Sequence, residues 1–345
     1  MNTDKRTEIA TLGEFGLIDH LTEPFVARNA SLVKGPGDDA AVIDTGADDY
    51  TLLSTDMLLE GVDFDLTYFP LKHLGYKAVV VGCSDIYAMN GHPTAITVSI
   101  GVSAKLSVED LDDLYSGIRA ACDDYGIDLA GGDTRASVTG LVISISTVGR
   151  VAKEKVTYRS GAQLHDLICI TSDLGAAYLG LKLLEREKIA LGGVPNAQPR
   201  FEGYEYLLRR QLKPVARREV IMELEAQGIV PTSMIDLSDG LASELLHVCR
   251  QSKCGARIYL ERIPIAREVH TLAEELHIDP VTAALNGGDD HELMFTVPLA
   301  MQDKVMQFGY GVEVIGHITE ESMGAALVTP DGSNIALKAQ GFHGN

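Results

Sequence analysis

The segment Leu71–Met89 reads LKHLGYKAVVVGCSDIYAM and follows Pro70, a residue type that is common at the start of a helix. Its length and almost continuous apolar character predict a helix that is buried over most of its surface. Asp85 interrupts the apolar run, and a buried carboxylate is costly unless it is paired or bound to a cation. The alternative is that Asp85 occupies an exposed position on the helix.

Helix-like and strand-like segments alternate around this helix, and this alternation is typical of α/β proteins. In the first half of the chain we expect strands at Tyr50–Ser54, Thr94–Val102 and Gly140–Val151. We expect further helices at Glu8–Leu21 and Ser107–Tyr125, and the second begins with a capping-box variant formed by Ser107 and Asp110.

A second set of elements follows a charged hinge at Val151–Gly161. The predicted strands are Asp166–Thr171, Ser233–Asp236, Ala256–Leu260, His291–Val297 and Val312–Ile318. The predicted helices are Asp173–Arg186, Pro214–Gln227 and Leu241–Cys254, with a loop at Glu187–Gly203. The expected fold is therefore α/β (α+β) in two domains: an N-terminal mixed-sheet domain, 1–155, and a C-terminal α/β domain, 156–345.

Composition agrees with two globular domains and excludes several classes of protein. The chain has 345 residues, 46% of them hydrophobic, and a net charge of −20. So acidic a chain would repel nucleic acid and anionic membrane surfaces. It contains no apolar run long enough to span a membrane and begins with polar residues, so we expect neither a membrane segment nor a secretory signal. Five scattered cysteines without a CxxC pair predict reduced thiols in a cytoplasmic protein.

The acidic residues are unevenly distributed, since residues 1–150 hold 18 of the 27 Asp but only 5 of the 22 Glu. Asp is typical of turns, helix caps and metal sites rather than of helix surfaces. Six Asp-bearing turns stand out: Gly37–Val42, Ser54–Asp56, Ser84–Ile86, Gly131–Thr134, Asp236–Gly240 and Gly287–Asp290. Any one alone is an ordinary turn or cap, but six together predict carboxylates that converge around divalent cations. These cations would in turn bridge the carboxylates to a polyphosphate.

Two of these turns allow closer interpretation. Ser54, Thr55 and Asp56 follow a predicted strand and could share one metal shell or simply cap the next element. Asp239 and Gly240 lead into a helix whose N-terminus can face an anion; the alternative is an ordinary N-cap. The chain lacks the P-loop, dinucleotide, nucleophile-elbow and protein-kinase motifs.

In this order, the turns resemble those of the thiamine-monophosphate kinases, within the aminoimidazole-ribonucleotide-synthetase-like ATP-binding superfamily. The resemblance is collinear from Gly13 to Phe342, nearly the whole chain. The segments that carry it are Gly13–Ile18 (GEFGLI), Gly37–Val42, Ser54–Phe64 (STDMLLEGVDF), Gly75–Met89, Gly131–Thr134, Ile235–Leu241 (IDLSDGL) and Gly287–Phe295 (GGDDHELMF). Each motif alone is weakly specific, and their combination is highly specific.

The resemblance implies ATP-dependent phosphorylation of thiamine monophosphate to thiamine diphosphate, without a covalent phospho-enzyme. It implies a homodimer joined through the N-terminal sheets and several Mg²⁺ ions, and leaves a monovalent cation open. The implied metal ligands are Asp39, Ser54, Thr55, Asp56, Asp85, Asp133, Asp236 and Asp239. The implied ATP contacts are Tyr115, Gly132, Asp133, Arg159 and Ser238. The alternatives are a core position for Tyr115 and a surface hinge charge for Arg159.

The three positions implied to bind the substrate depart from the family pattern. Asp63 stands where the family usually has His, Asp289 where it has Glu, and Phe342 where it has Tyr or Trp. Phe342 can still stack on a ring of thiamine. Asp63 cannot donate directly to a phosphate, so we expect it to act through a metal or water, or to contact the cationic thiazolium. Two other functions stay open: a different ATP-using member of the superfamily, or a non-catalytic scaffold that binds nucleotide or metal.

Overall fold

A computed structural model describes residues 11–192 and 199–339. The helices of the N-terminal half are α1 (Gly13–Thr22), α2 (Leu71–Ala88) and α3 (Val108–Tyr125). Its strands are β1 (Leu32–Lys34), β2 (Ala41–Ile43), β3 (Asp49–Leu59), β4 (His92–Ser103), β5 (Asp128–Ser137) and β6 (Val142–Ala152). The strands pair in the order β1-β2-β3-β6-β4-β5, with β4 and β5 parallel and the other neighbours antiparallel. The prediction of a mixed sheet is confirmed.

The C-terminal half contains a second mixed sheet. Its strands are β7 (Leu167–Thr171), β8 (Ser233–Leu237), β9 (Cys254–Tyr259), β10 (Glu292–Val297), β11 (Val312–Glu320), β12 (Ala325–Val328) and β13 (Asn334–Ala336), in the order β13-β12-β9-β11-β7-β10-β8. Its helices are α4 (Ala176–Leu191), α5 (Glu205–Leu212), α6 (Arg218–Ala226), α7 (Leu241–Ser252), α8 (Arg267–Leu276), α9 (Pro280–Asn286) and α10 (Gln302–Val305). Short 3₁₀ turns lie at Leu260–Arg262, Leu299–Met301 and Glu321–Met323. The predicted boundary at 155 falls between β6 and β7.

Helix α2 packs closely against α3 because glycines stand at their contact. A Cβ atom on Gly75 would lie 2.0 Å from the carbonyl oxygen of Leu114, and one on Gly117 would lie 1.8 Å from that of Lys72. No side chain fits there, so the two backbones approach directly. Helix α3 begins with the predicted capping box, in which Ser107 and Asp110 bond to each other's backbone N–H.

One hydrophobic core joins the two halves. It contains apolar side chains from α2, β4 and β6 together with side chains from α6, β7 and β10. The Tyr125 hydroxyl also accepts a hydrogen bond of 2.9 Å from the backbone N–H of Ala216 in the other half. This shared core fixes the end of α2 that carries Asp85 against the edge of the C-terminal sheet.

Two Asp-bearing segments predicted as turns are strands. Gly131–Thr134 lies inside β5, where parallel pairing with β4 supplies backbone partners that no local pattern revealed. Ser54–Asp56 lies in the middle of β3, which continues to Leu59 because β6 pairs along its full length. The predicted strand end at Ser54 is therefore wrong.

Three helix boundaries also differ from the predictions. Helix α4 continues to Leu191, so the first part of the predicted loop Glu187–Gly203 is helical. Helix α6 begins at Arg218 instead of Pro214. Helix α1 begins at Gly13, and the first residues of predicted helix Glu8–Leu21 lie outside the described residues. No helix in the described part of the chain is long and apolar enough to cross a membrane.

Candidate active site

Three carboxylates from separate elements converge between the two halves. Asp85 comes from α2, Asp236 from β8, and Asp39 from the segment before β2. One oxygen atom of each lies within 4.8 Å of the others. The Oγ of Ser84 donates a 2.7 Å hydrogen bond to Oδ2 of Asp236, which ties α2 to β8 at this point. The structure thus brings these three predicted residues together, and their role as metal ligands stays a prediction.

Several polar atoms around this cluster are buried without a hydrogen-bond partner in the described structure. They are Oδ2 of Asp39, Oδ2 of Asp56 and Oγ of Ser54. Unsatisfied buried oxygens are costly, and a divalent cation would satisfy them. Hard oxygen donors of this kind suit Mg²⁺, so the donor set fits the ion implied by the sequence.

The electrostatics of the cluster also favour a bound cation. Burial, reinforced by Asp236, raises the pKa of Asp39 to about 7 and that of Asp56 to about 7. Burial also raises the pKa of Asp85 well above its ordinary value, and the carboxylates of Asp56 and Asp236 add to the shift. Without a cation, burial and mutual repulsion favour the protonated forms of these groups, whereas a bound cation favours their ionised forms.

Arg159 supplies positive charge at the rim of the cluster. Its Nη2 and Nε lie 2.5 and 3.0 Å from Oδ1 of Asp39. Its backbone N–H donates to Oδ1 of Asp38 at 2.9 Å, and its side chain is only 17% exposed. The interpretation as a free surface charge is therefore wrong: Arg159 is largely buried beside the candidate metal cluster.

Ser238 and Asp239 lie at the start of α7, where both are exposed. The backbone N–H of Asp239 and the hydroxyl of Ser238 point to Oε1 of Glu244, at 3.1 and 3.4 Å. Sequence reasoning missed Glu244, which is buried in the first turn of α7. Burial first, and Asp239 second, raise its pKa well above the ordinary value. The sequence signal for Glu244 was its position in the first turn of the helix that follows the Asp-bearing turn Asp236–Gly240.

Asp289 lies on another side of the cluster, between two cationic side chains that sequence reasoning also missed. Lys77 of α2 donates to its Oδ2, and Nε2 of His291 lies 3.0 Å from its Oδ1. Nδ1 of His291 lies 3.8 Å from Oδ2 of Asp236, so Asp289 is adjacent to the cluster. The signal for Lys77 was the same as for Asp85: a charged residue inside an otherwise apolar helix.

Asp63 lies within electrostatic range of this group. Its Oδ2 accepts a 2.7 Å hydrogen bond from the backbone N–H of Leu59. Burial raises its pKa, the hydrogen bond from Leu59 lowers it, Asp289 raises it and Lys77 lowers it. The structure thus groups two of the three predicted substrate residues. The third, Phe342, lies outside the described residues.

Other predicted residues lie apart from the cluster. Thr55 points to the opposite face of β3 from Asp56, because side chains alternate along a strand; its hydroxyl accepts from Ser146 at 3.1 Å. Asp133, next to Gly132 on the exposed edge strand β5, pairs with Arg135 at 3.2 Å. Tyr115 is partly buried against the core of α2 and α3. Their roles in metal or nucleotide binding stay predictions.

The two halves, which join at the carboxylate cluster, each match a model of the AIR synthase related class. Residues 37–151 match the family model "AIR synthase related protein, N-terminal domain", and residues 179–329 match its C-terminal counterpart. Within that class, the chain belongs to the thiamine-monophosphate kinase family.

The relatives cover nearly the whole chain. The thiamine-monophosphate kinase of Buchnera aphidicola (subsp. Schizaphis graminum) is 34% identical over 339 residues, 96% of this chain and 98% of that one. The Escherichia coli (strain K12) enzyme is 30% identical over 342 residues, 96% and 97% of the two chains. The solved structure of "AaThiL complexed with AMPPCP and TMP" has a TM-score of 0.82 at 29% identity, and covers 99% of this chain and 100% of that one.

Proposed function

We propose that this protein transfers the γ-phosphoryl group of ATP to the phosphate of thiamine monophosphate, giving thiamine diphosphate and ADP. The observation that carries the proposal is the junction of Asp39, Asp85 and Asp236, with unsatisfied buried oxygens around it. Such a cluster binds phosphates only through cations, and phosphoryl transfer relies on cations for charge stabilisation. The related structure with AMPPCP and TMP bound supports the same pair of ligands.

Mg²⁺ would be held by Asp39, Asp56, Asp85 and Asp236, with Ser54 as a further oxygen donor. When bound, it would neutralise the phosphate oxygens of the two anionic ligands. The predicted ligands Thr55, Asp133 and Asp239 belong to the same proposal. A ligand role is less well supported for Thr55 and Asp133, because those two residues lie away from the cluster.

The protein's own groups position the reactants. Arg159, held by Asp39, adds a fixed positive charge beside the nucleotide phosphates. Gly132, Asp133 and Ser238 complete the proposed nucleotide contacts, and Tyr115 is the proposed aromatic neighbour. A phosphate oxygen of the acceptor attacks the γ-phosphorus, and the bond from that phosphorus to the β–γ bridging oxygen breaks. An ionised acceptor phosphate needs no general base and no covalent nucleophile on the protein.

The acceptor would lie on the side of the cleft that holds Asp63 and Asp289, with Phe342 stacking on one of its rings. The test is incubation with Mg·ATP and thiamine monophosphate, followed by separation of thiamine diphosphate and ADP. We expect stoichiometric formation of both products. Binding of ATP without any formation of thiamine diphosphate would refute the proposed kinase activity. It would favour a non-catalytic scaffold that binds nucleotide.

We further propose a cytoplasmic homodimer formed through the open face of the N-terminal sheet. Leu53 and Met57, on the same face of β3 as Thr55, are 41% and 59% exposed, and a second copy would cover them. The free cysteines, four of them buried, support a reducing compartment. Light scattering at micromolar concentration should give twice the 37.1 kDa chain mass. A monomer mass would refute the dimer.

A further inference from the structure

The loop that carries Asp289 is held rigidly in an unusual backbone conformation. Gly288, Asp289 and His291 have φ values of +72°, +65° and +51°, a region that non-glycine residues seldom adopt. The backbone N–H groups of Asp289 and His291 donate to the carbonyls of Ser238 and Leu237 at the end of β8, at 2.6 and 2.9 Å. The next carboxylate, Asp290, accepts from the backbone N–H of Gly175 at 2.8 Å. These bonds determine the direction of the Asp289 side chain.

The two oxygens of Asp289 have different donors from different halves of the molecule. Lys77 of α2 donates to Oδ2, and His291 contacts Oδ1 at 3.0 Å. The side chains of Lys77 and His291 are 2% and 4% exposed, whereas that of Asp289 is 33% exposed. The two donors are therefore buried, whereas part of the Asp289 carboxylate remains accessible to a ligand.

Lys77 also affects the charge balance of the region around Asp63 and Asp289. Asp63 and Asp289 lie within electrostatic range of each other, and both would repel an anionic acceptor. Lys77 lies within range of both carboxylates and offsets part of that repulsion. The region around Asp63 and Asp289 can thus present an oriented carboxylate without repelling the acceptor as strongly as the Asp39, Asp85 and Asp236 cluster would.

We propose that Lys77 and His291 are positioning residues for acceptor recognition: they hold the Asp289 carboxylate in a single orientation toward thiamine monophosphate. This inference rests on the proposed function. Lys77 acts through Asp289, so its loss should weaken binding of the acceptor and leave the nucleotide side unchanged. His291 also faces Asp236, at 3.8 Å, so its loss should weaken binding of the acceptor and also disturb the candidate metal cluster. An ordinary tether between the halves would instead affect stability and both substrates together.

Lys77→Met and His291→Phe test this inference, because each retains much of the side-chain volume and removes the donor. We expect KM for thiamine monophosphate to rise roughly tenfold, the usual effect of losing one charge-assisted hydrogen bond. For Lys77→Met, which lies on the acceptor side only, we expect KM for ATP to be unchanged and kcat to stay within about twofold of the wild type. Lys77→Arg and His291→Gln, which retain a donor, should restore part of the acceptor affinity.

Matched controls lie away from the cleft. Lys153→Met removes a surface ion pair with Asp44, and His317→Phe replaces an imidazole stacked on Tyr259. Neither should change KM for the acceptor. Combining either test variant with Asp289→Asn should give less than the product of the single effects, because all three act through one carboxylate.

The outcomes are separable. An active wild type whose acceptor KM is unchanged in both test variants would overturn this inference alone. Equal rises of the two KM values, with a lower melting temperature, would show a structural tether and also overturn it. If one variant does not fold, the other decides. A wild type that forms no thiamine diphosphate would refute the proposed function, and this inference with it.

Discussion

Replacing Asp85 with Asn separates two effects of the carboxylate cluster: its effect on folding stability without metal, and its contribution to Mg²⁺ binding and turnover. Asn has nearly the same shape as Asp and leaves α2 intact, but it removes one of three carboxylates whose oxygens lie within 4.8 Å of one another. Two unit charges at that 4.8 Å distance interact by about 3.5 kcal/mol at an effective dielectric constant of ~20. The same interaction changes from repulsion between carboxylates to attraction toward a bound cation.

Without metal, the substitution should have little effect on stability. Burial and neighbouring carboxylates raise the pKa of Asp85 well above its ordinary value, which favours the protonated form that Asn imitates. We expect the free energy of unfolding in EDTA to change by less than ~1 kcal/mol. With Mg²⁺, the variant lacks a charged ligand, and a loss of about 3.5 kcal/mol corresponds to a several-hundred-fold drop in turnover.

The assay is thermal unfolding of wild type and Asp85→Asn in EDTA and in Mg²⁺, together with product formation. Mg²⁺ at one hundred times its Kd should stabilise the wild type by about 2.7 kcal/mol, and this gain should be lost in the variant. Asp44→Asn, which removes a surface carboxylate paired with Lys153, is the control and should respond to Mg²⁺ like the wild type. An unchanged Mg²⁺ response and turnover in Asp85→Asn would refute the metal assignment.

Three further predictions concern pH, packing and the substrate side. Because the folded pKa of Asp56 is about 7 and its ordinary value is 3.8, the folded state binds the extra proton between these values, and metal-free stability falls as pH rises through this window. Asp56→Asn should therefore be more stable than the wild type in EDTA at pH 8 and lose that advantage toward pH 4; a constant difference would contradict this. Gly117→Ala should lower stability by about 2 kcal/mol or more in denaturant melts, since its Cβ would lie 1.8 Å from the Lys72 carbonyl oxygen, whereas Gly309→Ala, with open space around it, should not. Asp63→His should retain or increase kinase activity, because it replaces a carboxylate beside Asp289 with a possible phosphate donor; a drop of more than tenfold would show that Asp63 has a different role.

Local patterns were sufficient where an element makes its own contacts. The apolar run 71–89 predicted α2, and its single acid, Asp85, was correctly singled out for a buried cluster. The capping box of Ser107 was also predictable, because both of its hydrogen bonds lie within one turn. Asp236 could be placed at the end of a strand by its preceding apolar residues.

Local patterns failed where distant partners decide the backbone. The glycines of Gly131–Thr134 favour a turn, but pairing with β4 makes the segment a strand. Pro214 favours a helix start, but α6 begins only at Arg218. In the case of Gly131–Thr134, hydrogen bonds to another strand outweighed a local preference of ~1 kcal/mol or less per residue.

The sequence by itself determined much of the chemistry available to this protein: many short carboxylates beside glycines, no nucleophile-elbow motif, and the motif order of the thiamine-monophosphate kinases. Only the tertiary structure decided which of those groups meet. It directs Asp56 toward α2 and its neighbour Thr55 to the opposite face, because side chains alternate and the helix covers one face of the sheet. It also brings Lys77 to Asp289 across 212 residues, since the shared core fixes α2 against the C-terminal sheet. Such contacts depend on distance in space, which spacing along the chain does not encode.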